Sequence, residues 1–175
     1  MWWRSASTAC AWSDGGRLAT LSEVPYATSE AQQQLLDTLA EATDELGYAL
    51  ACLAEAYDGL DDHNGERLEE GVFRPVQVAY GRAKRTHAEF AARHGLPGRD
   101  FGQPPAGVSS RGAAGFIDSA VDAVAQADAE LAALQDSMLP VEAGDEGLRA
   151  GLSAIRDRVS GVPEQARELI RTLGR

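Results

Sequence analysis

His87 and His94 stand seven residues apart, in phase with Tyr80, on a stretch whose apolar residues recur every three and four positions. Imidazoles at such positions are unusual, because bundle interiors normally take aliphatic side chains there. An imidazole can ligate a metal or a haem iron, or act as a general base. Seven residues of helix separate the two rings by about 10.5 Å, too far for both to hold one metal ion, so each would need ligands from other helices. His63, the third histidine, falls at the opposite end of the same helix and supplies none. Together with Arg85, the residues Tyr80, His87 and His94 define a candidate small-ligand site. The competing reading is structural: His94 is a cation suited to a helix C-terminus, and His87 hydrogen-bonds a carboxylate such as Asp118.

Other chemistry has less support. Carboxylate-bridged metal bundles need a Glu-x-x-His pair, which is absent. Glu41 with Glu45, and Asp118 with Asp122, have the one-turn carboxylate spacing of some metal-binding bundles, a spacing also common on solvated helices. A calcium loop around Asn64 and Gly65 would need ligands at Leu60 and Gly71, which neither can provide. The cations Arg74, Arg82, Lys84, Arg85, Arg93, Arg99 and Arg111 suit either an anionic partner or the acidic helices of the chain itself. There is no phosphate-cradling glycine loop, nucleophile elbow, cysteine pair or Ser-His-Asp arrangement, so the reading is a non-enzyme with no expected cofactor or metal. Trp2, Trp3, Trp12 and Phe101 are large hydrophobes outside the periodic stretches, the residue types that anchor partner contacts.

The elements that would position these groups follow from periodicity. Four apolar stripes keep a heptad phase: Leu36 to Leu60, Phe73 to His94, Ile117 to Met138 and Leu148 to Leu173. Each is too narrow to be stable alone and must bury against the others. The spacing predicts helices over about 29–59, 63–94, 110–138 and 145–173 in one domain over 28–175. The fold class is all-α, an antiparallel up-down-up-down four-helix bundle. Residues 1–27 read as an N-terminal segment, disordered or lying upstream of the natural start.

Ser29 with Gln32 makes a capping-box pattern for the first helix, and Ser109 or Ser110 can cap the third. Pro75 predicts a kink in the second helix, and Gly161 with Pro163 a break in the fourth. Centring the first turn at Asp61 and Asp62 sets Thr43 opposite Tyr80. Residues 95–111, rich in Pro and Gly, form the one long loop.

The net charge of −11 argues against nucleic-acid or acidic-membrane partners. Charge alternates along the chain: net −12 over 23–70, +5 over 71–111, −8 over 112–148 and +3 over 149–175. In an up-down-up-down bundle this makes every neighbouring pair opposite in sign, a pattern that can select topology. Cys10 and Cys52 form no disulfide framework, which implies a reducing, cytoplasmic setting without a membrane span or secretory leader.

The stretch from Leu134 to Val159, Leu-Gln-Asp-Ser-Met-Leu-Pro-Val-Glu-Ala-Gly-Asp-Glu-Gly-Leu-Arg-Ala-Gly-Leu at its start, resembles uncharacterised helical-bundle proteins of high-GC, actinobacterial-type bacteria. The resemblance implies a helical fold and no particular activity. The function expected is that of an interaction or scaffold module acting through a protein partner or self-association. The alternative is a ligand- or metal-binding bundle at Tyr80, His87 and His94.

Overall fold

The computed structural model describes residues 23–143 and 145–173, whose regular secondary structure is helical with no strand among them. Helix α1 is Glu23–Asp58. Helix α2 (Asp62–Leu68), a π-helical turn (Glu69–Phe73) and α3 (Arg74–His94) continue one another as a second rod. The third rod is α4 (Gly112–Asp136). After the short α5 (Leu139–Glu142), α6 (Glu146–Val159) and α7 (Val162–Leu173) form the fourth. No helix among the described residues is long and apolar enough to cross a membrane.

Local sequence explains the boundaries. Helix α1 starts at Glu23 rather than near Ser29, so Ser29 is not its cap; Pro25 is tolerated because a first turn has no partner for its N–H anyway. Asp61 caps α2 by accepting from the Asn64 N–H at 3.0 Å. Pro75 falls in the first turn of α3, directly after the π turn, where the Arg74 N–H reaches back to the Glu69 carbonyl. The wider turn accommodates the ring, so the rod continues through the proline. Gly95, at φ 66°, ends α3 in the left-handed conformation, with the Leu96 N–H on the Ala91 carbonyl. The fourth rod breaks between Val159 and Val162, at Gly161.

The four-rod bundle is confirmed, but the chain visits its corners in a different order from the expected one. Gln32 near the start of α1 meets His94 at the end of α3, so the first two rods are antiparallel. Gly59 at the other end of α1 lies against Ala113 at the start of α4, so α4 runs antiparallel to α1 and parallel to α3. Asp145 before α6 meets Arg93, while Thr172 on α7 meets Arg67, so the last rod runs back along the second. Asp128 and Gln135 of α4 bind Arg156 of α6. The order is therefore up-down-down-up, with α1 beside α4 and α3 beside α6. Residues 95–111 make this possible. Seventeen extended residues reach roughly 55 Å, more than the roughly 37 Å length of α4.

The expected electrostatic selection fails with this order. The most extensive seam joins α1 and α4, both acidic, and the basic α3 packs on the basic α6. Packing decides. Ala42, Ala49 and Ala56 recur every seven residues on the α4-facing side of α1, and Ala120 and Ala127 do so on α4, all buried. Small side chains let the backbones approach, and burial at about 25 cal/mol per Å² over a long seam outweighs surface charge terms of about 0.2–1 kcal/mol each. A residue of the conflict remains at Glu45, whose carboxyl is pushed up by burial and by Glu130 and Asp44. The α3–α6 seam is opened by Gly151, where a Cβ would lie 2.5 Å from Thr86 Cγ2.

Candidate functional site

One face of α1 carries Gln33, Asp37, Ala40, Asp44, Gly47, Ala54 and Asp58 at helical spacing, and the facing side of the second rod carries Phe73, Gln77, Tyr80, Lys84 and His87. Between them lies a groove, and the chain's own long loop fills its lower half as an extended strap. Arg99 on the strap binds Asp44 at 2.7 Å. The Tyr80 hydroxyl donates to the carbonyls of Phe101 and Gly102, each at 3.3 Å. The Phe101 ring meets His87 edge-on, with centroids 4.9 Å apart, and Arg99 lies over Phe101 at 5.1 Å. Gly47 is the crossing point. A Cβ there would be 3.2 Å from the Gly102 carbonyl oxygen and 3.3 Å from the Tyr80 ring, so the strap passes over α1 where the helix has no side chain. Tyr80 thus faces Gly47 rather than Thr43, one turn further along.

His87 is 2 % exposed and its Nδ1 has no hydrogen-bond partner. Its expected partner, Asp118, is on α4, diagonally across the bundle from α3, and pairs with Arg111 instead. Burial holds the His87 imidazole below its ordinary pKa; Arg99 adds to this, and Asp37 and Asp44 oppose it. The ring contributes to a cleft of about 430 Å³ under the strap, together with Gln33, Leu36, Asp37, Glu41 and Arg99. Burial, with Asp44 as a smaller cause, raises the Tyr80 hydroxyl, so it acts there as a hydrogen-bond donor.

The four residues of the expected ligand site do not converge. Tyr80 and His87 share the strap, whereas Arg85 is exposed outside it. His94 belongs to a polar knot at the lower end: its Nδ1 meets Gln32 Nε2 at 3.0 Å and its Nε2 meets Asp145 Oδ2 at 3.0 Å. Arg93 donates twice to Asp145, at 2.9 and 3.0 Å, and the Leu148 N–H donates at 2.7 Å, making Asp145 the cap of α6. Burial opposes ionisation of this carboxyl, but Arg93, the Leu148 N–H and His94 overcome it and hold the pKa at about 2. Two turns of helix separate the knot from His87, as the spacing requires. Among the described residues no group of three His, Cys, Asp or Glu side chains could hold a metal ion.

The basic cluster is likewise dispersed, with Arg74 on Glu69, Arg93 on Asp145, Arg99 on Asp44 and Arg111 on Asp118. Of the expected partner anchors, Trp2, Trp3 and Trp12 lie outside the described residues. Phe101 is not an outward anchor: it packs against the core, because the strap brings it onto His87.

Above Gly47 the same groove is open. Ala54, Tyr57, Asp58, Glu69, Phe73 and Arg74 line a cleft of about 360 Å³. Tyr57 is 46 % exposed despite its place in the first stripe, its ring lying over Gly65 of α2. The first stripe, Leu36 to Leu60, places Tyr57 in the core, because helical phase reports a face and not whether a neighbour covers it; Phe73, in the second stripe, does pack against the core while its edge lines the cleft. Two signals were readable: a glycine in mid-helix at Gly47, and Asp145 three residues ahead of Leu148 as a cap. No protein-family model, curated protein or solved structure matches this chain.

Proposed function

We propose that this protein is a non-enzymatic interaction module whose contact surface is the open upper half of the groove between α1 and the second rod. The observation that carries the reading is the half-exposed Tyr57 ring beside the partly buried Phe73, in a groove whose other half the chain has covered itself. Exposed aromatic residues in a concave apolar site are the usual anchors of protein contacts. A cytoplasmic setting goes with this reading, since Cys52 is a buried free thiol. The test is site-specific photo-crosslinking with a benzophenone amino acid at Gln77, beside the groove, and at Ala125, on the exposed side of α4. Discrete adducts at position 77 that vanish in Tyr57→Arg, with none at 125, are expected; equal labelling at both positions would overturn the reading. Adduct mass also reports whether the partner is a second copy of the chain.

A second reading rests on the unpartnered His87 Nδ1. The unpartnered Nδ1 of a neutral imidazole is an acceptor in the Nε2–H tautomer, and in that form, with Asp37 and Glu41 lining the same cleft, it suits an amine-bearing small molecule. Native mass spectrometry of protein purified without added metal or chelator checks it. Excess mass lost in His87→Leu supports the site. A clean polypeptide mass, with His87→Leu raising the thermal midpoint, removes it.

A further inference from the structure

Resting on the interaction reading above, we infer that the upper groove takes an extended, non-helical peptide that places an aromatic side chain next to a basic one, the chemistry of the chain's own Arg99-Asp100-Phe101-Gly102. The lower half of the groove is a worked example of what these two stripes accept. There, Asp44 on α1 binds an arginine, and Tyr80 and His87 on α3 hold the backbone and ring of the phenylalanine. The upper half repeats the charged and ring-holding positions along the same stripes: Asp58 stands on α1 two heptads beyond Asp44, and Phe73 stands on the second rod two heptads before His87. Tyr57 adds a second aromatic wall.

Charge points to a basic ligand. Residues Glu55 to Glu70, on the α1–α2 side of this end, carry seven acids and one base, and the cleft itself is lined by Asp58 and Glu69 against one cation, Arg74, which pairs with Glu69; the excess of acid there attracts cations and repels acidic partners. Space sets its length, and the strap its conformation. From Gly47, where the strap leaves the groove, to Asp58 the helix rises about 16 Å. That admits about five extended residues. The strap, which lies non-helical against the same two stripes with its carbonyls on Tyr80 and Arg99 on Asp44, is the conformation this groove already holds. Extended segments with an anchoring side chain and a charged neighbour are a recurrent mode of peptide recognition.

The probe is a capped peptide with the sequence of residues 95–104, added to the full-length protein and followed by amide chemical shifts and fluorescence anisotropy. Saturable shifts at Ala54, Asp58 and Gln77 are expected, with affinity falling at least tenfold for a peptide whose Phe is Ala and at least fivefold for one whose Arg is Glu. Asp58→Lys, an exposed change, should weaken binding at least fivefold without altering the thermal midpoint. Shifts confined to Tyr80, His87 and the strap would mean that the peptide merely exchanges with the strap, which overturns the proposal; so would no saturable shift, or equal affinity for the Phe→Ala peptide. If photo-crosslinks at position 77 persist while the peptide does not bind, this peptide chemistry is wrong and the interaction reading stands. If the peptide binds at Ala54 and Gln77 while crosslinks are absent, the recognition chemistry stands and the natural partnership does not.

Discussion

The lower and upper halves of the α1–α3 groove have walls drawn from the same two helical stripes, yet the chain fills one half and leaves the other open. The lower half closes because three independent features meet there. Gly47 lets the strap backbone onto α1, Tyr80 holds two strap carbonyls, and the knot of Gln32, Arg93, His94 and Asp145 fixes the end of α3 from which the strap departs. The upper half has aromatic walls and an acidic rim but no segment of the described chain lying in it. A groove wall of given composition is thus covered or left open according to where the connection between helices runs.

The sharpest break is to the core beneath both halves. Leu131→Asp places a charge at a buried position of α4, an expense of several kcal/mol that should leave no cooperative transition by circular dichroism; an unchanged midpoint would show that the packing described here is wrong.

Next comes the lower end alone. Asp145→Ala removes the α6 cap together with the partner of Arg93 and His94, and should cost roughly 2–3 kcal/mol in denaturant unfolding. Amide protection should fall near Glu146 to Leu152 and hold around Tyr57. Acid offers the same comparison. The Asp145 carboxyl is held at about 2, against an ordinary 3.8. A depressed carboxyl contributes stability above its unfolded pKa, and that contribution, about 2 kcal/mol, is lost as pH falls from about 4 to 2. The slope in this window should be shallower in Asp145→Ala than in the wild type.

Gly47→Val tests the strap. Its branched side chain meets the Gly102 carbonyl and the Tyr80 ring and should cost about 1–2 kcal/mol. Hydrogen exchange in Leu96 to Gly102 should quicken, while retained protection there would show that the strap does not depend on that crossing.

The smallest effect on stability belongs to the upper half. Tyr57→Ala should change unfolding free energy by less than about 1 kcal/mol, since the ring is half-exposed, and yet abolish crosslinking at position 77. A large loss of stability would place Tyr57 in the core after all.

Much of this was legible from residue order. Helix positions, the turn at Asp61 and Asp62, the break at Gly161 and the non-helical character of residues 95–111 follow from periodicity and the conformational limits of Gly and Pro, which act over a few residues. Which rods become neighbours was not legible. Alternating charge pointed to one order, but individual surface charges are weak, and the alanine seam between α1 and α4, with a loop long enough to run the length of the bundle, chose another. The candidate site divided along the same line. His87 could be singled out by type and spacing, and its two-turn separation from His94 held. The Phe101 ring against it, the Asp145 partner of His94 and the exposure of Tyr57 depended on contacts between residues tens of positions apart. The sequence determined by itself which face each helix offers for burial, because that is set by local geometry; only the tertiary structure decided which parts of those faces are covered and by what, because that is set by the packing of all four rods at once.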